Sequence, residues 1–242
     1  MEMNAINFNL TAGEIHIWQA SLDQPADRWH DLASLLSLDE TARAAAFIFE
    51  RDRRKFIVAR ALLRQLLGRY LNTNPRAVTF VYADKGKPSV AGHPILQFNV
   101  THSHELALYA FGNNQPLGID LEYKREVTDM QGIARGNFSA HENAVFNALP
   151  DHLKQEAFFN CWTRKEAYIK ALGEGLSHPL DSFDVTFVPG EPARLTDVRG
   201  FPDEAAQWSF YGFKPRPDYI AALATRQTTP QLTFYTWNFV TS

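Results

Sequence analysis

Residues 118–122 read Gly-Ile-Asp-Leu-Glu. On a strand, successive side chains take opposite faces, so Asp120 and Glu122 share one face and lie roughly 7 Å apart. Two carboxylates so placed repel each other unless a cation stands between them; a half-solvated strand is the plainer alternative. Residues 162–170 read WTRKEAYIK. On a helix Trp162, Glu166 and Lys170 fall on one face, which puts an acid and an amine at a surface, or simply makes an i, i+4 salt bridge. Residues 98–105, FNVTHSHE, join two apolar segments through Thr101, His102, Ser103 and His104. Hydroxyls, imidazoles and backbone amides suit an anion such as phosphate, and equally suit a polar hairpin turn. KGKP at 85–88 is a turn by composition. Residues 51–69 carry seven basic side chains against one acid, Asp52. Arg53, Arg60 and Arg64 cluster beside an apolar stripe of Phe56, Ala59, Leu63, Leu66 and Tyr70. That face fits phosphates or an acidic partner, or is merely solvated.

The elements that would hold these residues repeat. Ser37 to Glu40 and Ser139 to Glu142 are both Ser-x-x-Glu helix starts. Each is followed by a long helix with a glycine at its predicted end, Gly68 and Gly173. Strands are then expected at 78–80 and 185–187. Strand pairs follow at 96–100 with 106–111 and at 207–213 with 219–224, and single strands at 118–122 and 232–237. The reading is an α+β protein of two similar halves, a pseudo-twofold internal repeat meeting near 112–117. It is divided as 1–112 and 113–242. Aligning the helices at their glycines puts Ala61 opposite Glu166 and Gln65 opposite Lys170. Only the second copy carries the charged pair, so one active site per chain is expected.

The bulk composition narrows the class. With 242 residues, 45% apolar and 18 Phe among them, the chain can bury a substantial core. A net charge of −3 argues against nucleic acid or an anionic membrane as partner. The single cysteine, Cys161, excludes an internal disulfide and agrees with a cytoplasmic setting. No apolar run approaches the ~20 residues of a membrane span, and the start MEMNAINFNL does not read as an export signal.

Taken in order, GKP, F-N-V-T-H-S, G-I-D-L-E and, with Trp162 placed 42 residues after Asp120, W-T-R-K-E-A-Y-I-K resemble the 4′-phosphopantetheinyl transferases of the surfactin-synthetase-activating (Sfp) type. The likeness runs over roughly residues 36–188. It implies two α+β halves with a site between them, coenzyme A as substrate, and transfer of phosphopantetheine to a serine of an acyl or peptidyl carrier protein. It implies Mg²⁺, with Mn²⁺ as a substitute, on Asp120, Glu122 and Glu166. Glu166 and Lys170 would be catalytic. Thr101, His102 and Lys170 would meet the coenzyme's phosphates, Lys87 and its neighbours the nucleotide, and Arg43 the 3′-phosphate. Glu40 stands where some members have another basic residue, which brings in Arg53, Arg54 or Arg60. Glu142 is either a site acid or the third position of its capping box. A metal-dependent phosphohydrolase and a non-catalytic carrier-binding module are the rival readings; a monomer is expected.

Overall fold

Neither half of the chain completes its own sheet. The computed structural model describes residues 8–239; the first seven residues, part of the stretch read for an export signal, lie outside them. β1 (Glu14–Ser21) is followed by α1 (Ala26–Ala33), α2 (Leu38–Ala45) and the long α3 (Glu50–Tyr70). Next come a short hairpin, β2 (Phe80–Tyr82) with β3 (Pro88–Val90), and a longer one, β4 (Leu96–Ser103) with β5 (Leu106–Asn113). The second half runs β6 (Leu117–Tyr123), α4 (Met130–Asn137), α5 (Ala140–Ala148) and α6 (Asp151–Leu172). Then follow β7 (Phe183–Val185), β8 (Leu195–Val198), β9 (Ser209–Phe213), β10 (Tyr219–Thr225) and β11 (Gln231–Thr236).

The main sheets order as β11-β1-β5-β4 and β6-β10-β9. β11, from the end of the chain, lies parallel to β1, with Ile15 opposite Leu232. β6, which follows the first half directly, lies antiparallel to β10, with Asp120 opposite Ala222. The halves thus exchange their closing strands.

Alternation along the strands builds four layers. Trp18, Ala107, Tyr109 and Phe111 face α3 and pack on Leu62, Leu63 and Leu66. Ile15, Ile17, Leu108 and Ala110 point the other way, onto Ile119, Leu121, Ala221 and Leu223 of the second sheet. Ile220, Ala222 and Ala224 then face α6, with Phe158, Tyr168 and Phe183. β5 and β10 are almost wholly buried because each is covered on both faces, which is why they read as unbroken apolar runs.

Both capping boxes form. Each glutamate also holds the following long helix. Glu40, fully buried, pairs with Arg60 and lies 2.6 Å from Arg64 Nε. Glu142, also fully buried, lies 2.8 Å from Lys165 Nζ and accepts the Val185 amide at 2.9 Å. Aligned at the glycines, Arg60 falls opposite Lys165, so the repeat extends to a buried ion pair.

The structure departs from the sequence reading in three places. α3 does not stop at Gly68 but runs on to Tyr70. Gly68 is needed for another reason: a Cβ there would lie 2.9 Å from the Thr73 carbonyl oxygen, where the chain doubles back. Gly173, by contrast, ends α6 with φ +80°. The strands expected at 78–80 and 185–187 lie at Phe80–Tyr82 and Phe183–Val185. Val78 instead follows a 3-10 turn and gives its carbonyl to Arg64, while the Thr186 hydroxyl binds the Pro192 carbonyl. Thr101, His102 and Ser103 belong to β4 rather than to a turn. The reversal falls at His104, φ +52°, a conformation that His tolerates better than most residues.

Candidate active site

Gly118 lets β6 lie directly on α6. A Cβ there would fall inside the contact radii of the Ala167 carbonyl oxygen and the Ala171 nitrogen. Its neighbours on the same face, Asp120 and Glu122, therefore come up against the helix that carries Glu166 and Lys170, while Ile119 and Leu121 enter the core. β4 supports β6 from the other side. Asn99 Oδ1 accepts the Ile119 amide at 2.9 Å. The Thr101 hydroxyl donates to Asp120 Oδ1 at 3.2 Å, and the Ser103 hydroxyl to Glu122 Oε2 at 3.1 Å. Ser103 Oγ also accepts the Tyr123 amide at 3.0 Å. Positions 99, 101 and 103 alternate onto one face, so a single strand face stitches the two sheets at the acids.

Lys170 does not pair with Glu166 in its own helix. Its ammonium donates to Asp120 Oδ1 at 2.5 Å and to Thr101 Oγ1 at 3.4 Å. Asp120 Oδ2 and Glu166 Oε1 are both buried without a hydrogen-bond partner. Burial, and then the charge of Asp120, push the Glu166 carboxyl up to about 6, against the pull of Lys170. Glu122 is raised by the same two causes in the same order. Isolated acids of this kind are costly to ionise in a low-dielectric setting.

The chemistry of this donor set suits a divalent cation. Three carboxylates face one ammonium, a surplus of two negative charges when all are ionised. Two oxygens have no partner, and all the donors are hard. Among the described residues no three His, Cys, Asp or Glu side chains converge as a ready cage. An ion such as Mg²⁺ takes few protein ligands and fills its shell with water and phosphate oxygens.

Lys55 of α3 reaches the same place, 2.8 Å from the Glu105 carboxylate. With Lys170 it adds to desolvation in holding the His102 imidazole below its usual value. The sequence reading placed Lys55 only within a basic run and gave it no role. Its signal was position, one residue past the Arg53–Arg54 pair. The other basic candidates are either exposed or held by partners of their own. Arg43 is exposed, 5.6 Å from the Phe56 ring centre. Arg54 pairs with Glu50 and covers Trp29 at 5.2 Å. Arg53 is exposed, and Arg60 is held by Glu40 and by the Tyr82 hydroxyl. The Lys87 ammonium donates to the carbonyls of Ala171, at 2.8 Å, and Leu117, at 3.3 Å.

Glu142 serves as helix cap and as partner of Lys165, with no exposed surface. Cys161 is buried and its thiol is pushed well up by burial, so it is no nucleophile. Trp162 stacks on Phe158 at the edge of the core. Glu174, His178 and Ser182 line up in the order of a hydrolytic triad, His178 lying 2.6 Å from Glu174 and 3.2 Å from Ser182. The Ser182 hydroxyl donates to the Pro179 carbonyl at 2.6 Å, which ties that proton to a local turn.

Comparison with known proteins shows the family. The 4′-phosphopantetheinyl transferase superfamily profile matches residues 116–224, and the profile of the 4′-phosphopantetheinyl transferase N-terminal region matches residues 17–113. The chain is 40% identical over 221 residues to the 4′-phosphopantetheinyl transferase HetI of Nostoc sp., covering 90% of each. It is 29% identical over 171 residues to the 4′-phosphopantetheinyl transferase Sfp of Bacillus subtilis, covering 70% of this chain and 75% of that one. It is 25% identical over 205 residues to the human L-aminoadipate-semialdehyde dehydrogenase-phosphopantetheinyl transferase, covering 78% and 66%. With its acids and Lys170 drawn to one seam between two repeated halves, the chain belongs to the 4′-phosphopantetheinyl transferase superfamily.

Proposed function

We propose that this seam is where the protein moves the phosphopantetheine arm of coenzyme A onto a serine of an acyl or peptidyl carrier protein. The serine oxygen forms a bond to the phosphorus that bears the pantetheine, the bridging P–O bond breaks, and adenosine 3′,5′-bisphosphate leaves. The observation that carries this reading is the surplus of buried acids, with two partnerless oxygens, directly beside Lys170. Asp120, Glu122 and Glu166 are the residues that would hold Mg²⁺, or Mn²⁺ in its place. Bound there, the ion supplies charge neutralisation for the diphosphate.

The chain's own groups do the rest. Lys170 and the Thr101 hydroxyl offer donors to the phosphates, and Lys55 and His102 extend that surface. Glu166, whose carboxyl burial and the charge of Asp120 raise in the metal-free site, would take the serine proton. Phosphoryl transfer depends chiefly on positioning and charge, and the Gly118 contact with the β4 stitching supplies the positioning. In this reading residues 1–112 contact the coenzyme through Arg43, Arg54 and the turn bearing Lys87. Residues 113–242 hold the metal and the catalytic pair, although β11 lies in the first sheet. The protein acts as a cytoplasmic monomer; no described helix is long and apolar enough to cross a membrane.

Incubation with apo carrier proteins, coenzyme A and Mg²⁺, read by intact mass, tests the proposal. The expected result is a gain of one phosphopantetheine on the carrier. Release of the bisphosphate from coenzyme A without any carrier would instead establish a phosphohydrolase.

A further inference from the structure

We propose that the Lys87 side chain is a positioning strut, which fixes the exposed Lys85–Pro88 turn to both elements that carry the acids, rather than a ligand of the coenzyme's phosphates. The inference rests on the transferase reading above. The hairpin of β2 and β3 is exposed at every residue from 81 to 86, and Lys87 and Pro88 are where it turns inward. The Lys87 ammonium donates to Ala171 O and Leu117 O. Ala171 is in the last turn of α6, whose carbonyls have no partner within the helix and form the negative end of its dipole. Leu117 opens β6. One ammonium thus joins the turn, the helix of Glu166 and Lys170, and the strand of Asp120 and Glu122.

The neighbouring glycine agrees with this role. Gly173 sits at φ +80°, and a Cβ there would stand 3.1 Å from Lys87 Cδ, so the helix end is shaped around the lysine stem. The group is also withdrawn from water: burial pushes its ammonium down to about 8. An ammonium has three donors, and two are engaged, leaving at most one for any ligand. Among the described residues no carboxylate pairs with it. A lysine kept for phosphate would extend toward solvent; this one runs back beneath its own turn.

Lys87→Met keeps the stem and removes the donors. Coenzyme A and 3′-dephospho-coenzyme A binding would be measured by calorimetry at low and high salt, and amide exchange of residues 80–90 by mass spectrometry without ligand. A strut predicts faster exchange across the hairpin, and affinity for both ligands reduced by the same factor, about tenfold for the loss of charge-assisted hydrogen bonds. It also predicts an unchanged salt dependence, since no direct ion pair with the ligand is lost. Lys87→Arg, which restores charge and donors, should recover slow exchange. A loss confined to coenzyme A, or a flattened salt dependence with exchange unaltered, would make Lys87 a phosphate ligand and overturn the proposal. So would exchange that is fast in Lys87→Arg, or parental in Lys87→Met. If the parent itself fails to bind coenzyme A, the transferase reading falls, while the exchange arm still decides the strut.

Discussion

Glu166→Gln should make the protein more stable and inactive at once, and the pH at which stability appears is fixed by the site. The Glu166 carboxyl is raised from 4.5 to about 6 in the folded chain. The folded state therefore holds this proton more tightly than the unfolded state. Below about 4.5 both states are protonated and nothing is lost. As pH rises from 4.5 to 6 the unfolded chain ionises first, and the native state loses stability; above 6 the penalty is constant. A shift of this size corresponds to at most ~2 kcal/mol, and partial solvent screening reduces it to ~1 kcal/mol. Glutamine removes the penalty without changing the shape. Urea unfolding in chelator should show parent and variant alike near pH 4 and the variant ahead by ~1 kcal/mol at pH 7.5, or about 2–4 °C in Tm for a chain of this size. Mg²⁺ should then stabilise the parent and leave the variant where it was. A variant no more stable at pH 7.5 than at pH 4, relative to the parent, would refute the claim that ionised Glu166 is stranded among like charges.

Asp120→Ala should abolish transfer while circular dichroism stays native; activity within about tenfold of the parent would remove it from the metal set. Glu142→Ala should cost about 3–5 kcal/mol by leaving Lys165 buried and unpaired, with activity per folded molecule preserved; a loss under 1 kcal/mol in urea contradicts that role. Gly118→Ala must push β6 off α6 and should cost ~1–3 kcal/mol or more together with activity. Unfolding and turnover assays would then move together, and parental values in both would dismiss the contact.

The parts of this site written with a simple period could be read in advance. Asp120 and Glu122 fall on one face because strands alternate, and Glu166 and Lys170 share a helix face because four residues nearly close a turn. Contacts between elements could not be read. The i, i+4 rule offers Lys170 to Glu166, but packing turns it to Asp120, where β6 brings a second carboxylate within 2.5 Å. Gly118 looks like an ordinary residue before a strand until α6 is laid on it. Glu142 was ambiguous because a capping glutamate and a catalytic one are identical in sequence; only its burial against Lys165 separates them. The closing strands were recognisable as strands, yet periodicity says nothing of which sheet a strand joins.

That exchange of strands has a consequence for how the protein is made. β1 leaves the ribosome well before its partner β11, the Gln19–Thr236 side-chain bond spanning 217 residues. At ordinary elongation rates the flank of β1 waits roughly 10–40 s for its neighbour. Throughout that interval the nascent first half presents a bare edge to the cell. A chain cut before β11 would keep every candidate site residue and leave that edge open for good. β11, which carries none of the candidate site residues, is the strand that covers this edge, and an open edge is a template for pairing with another copy.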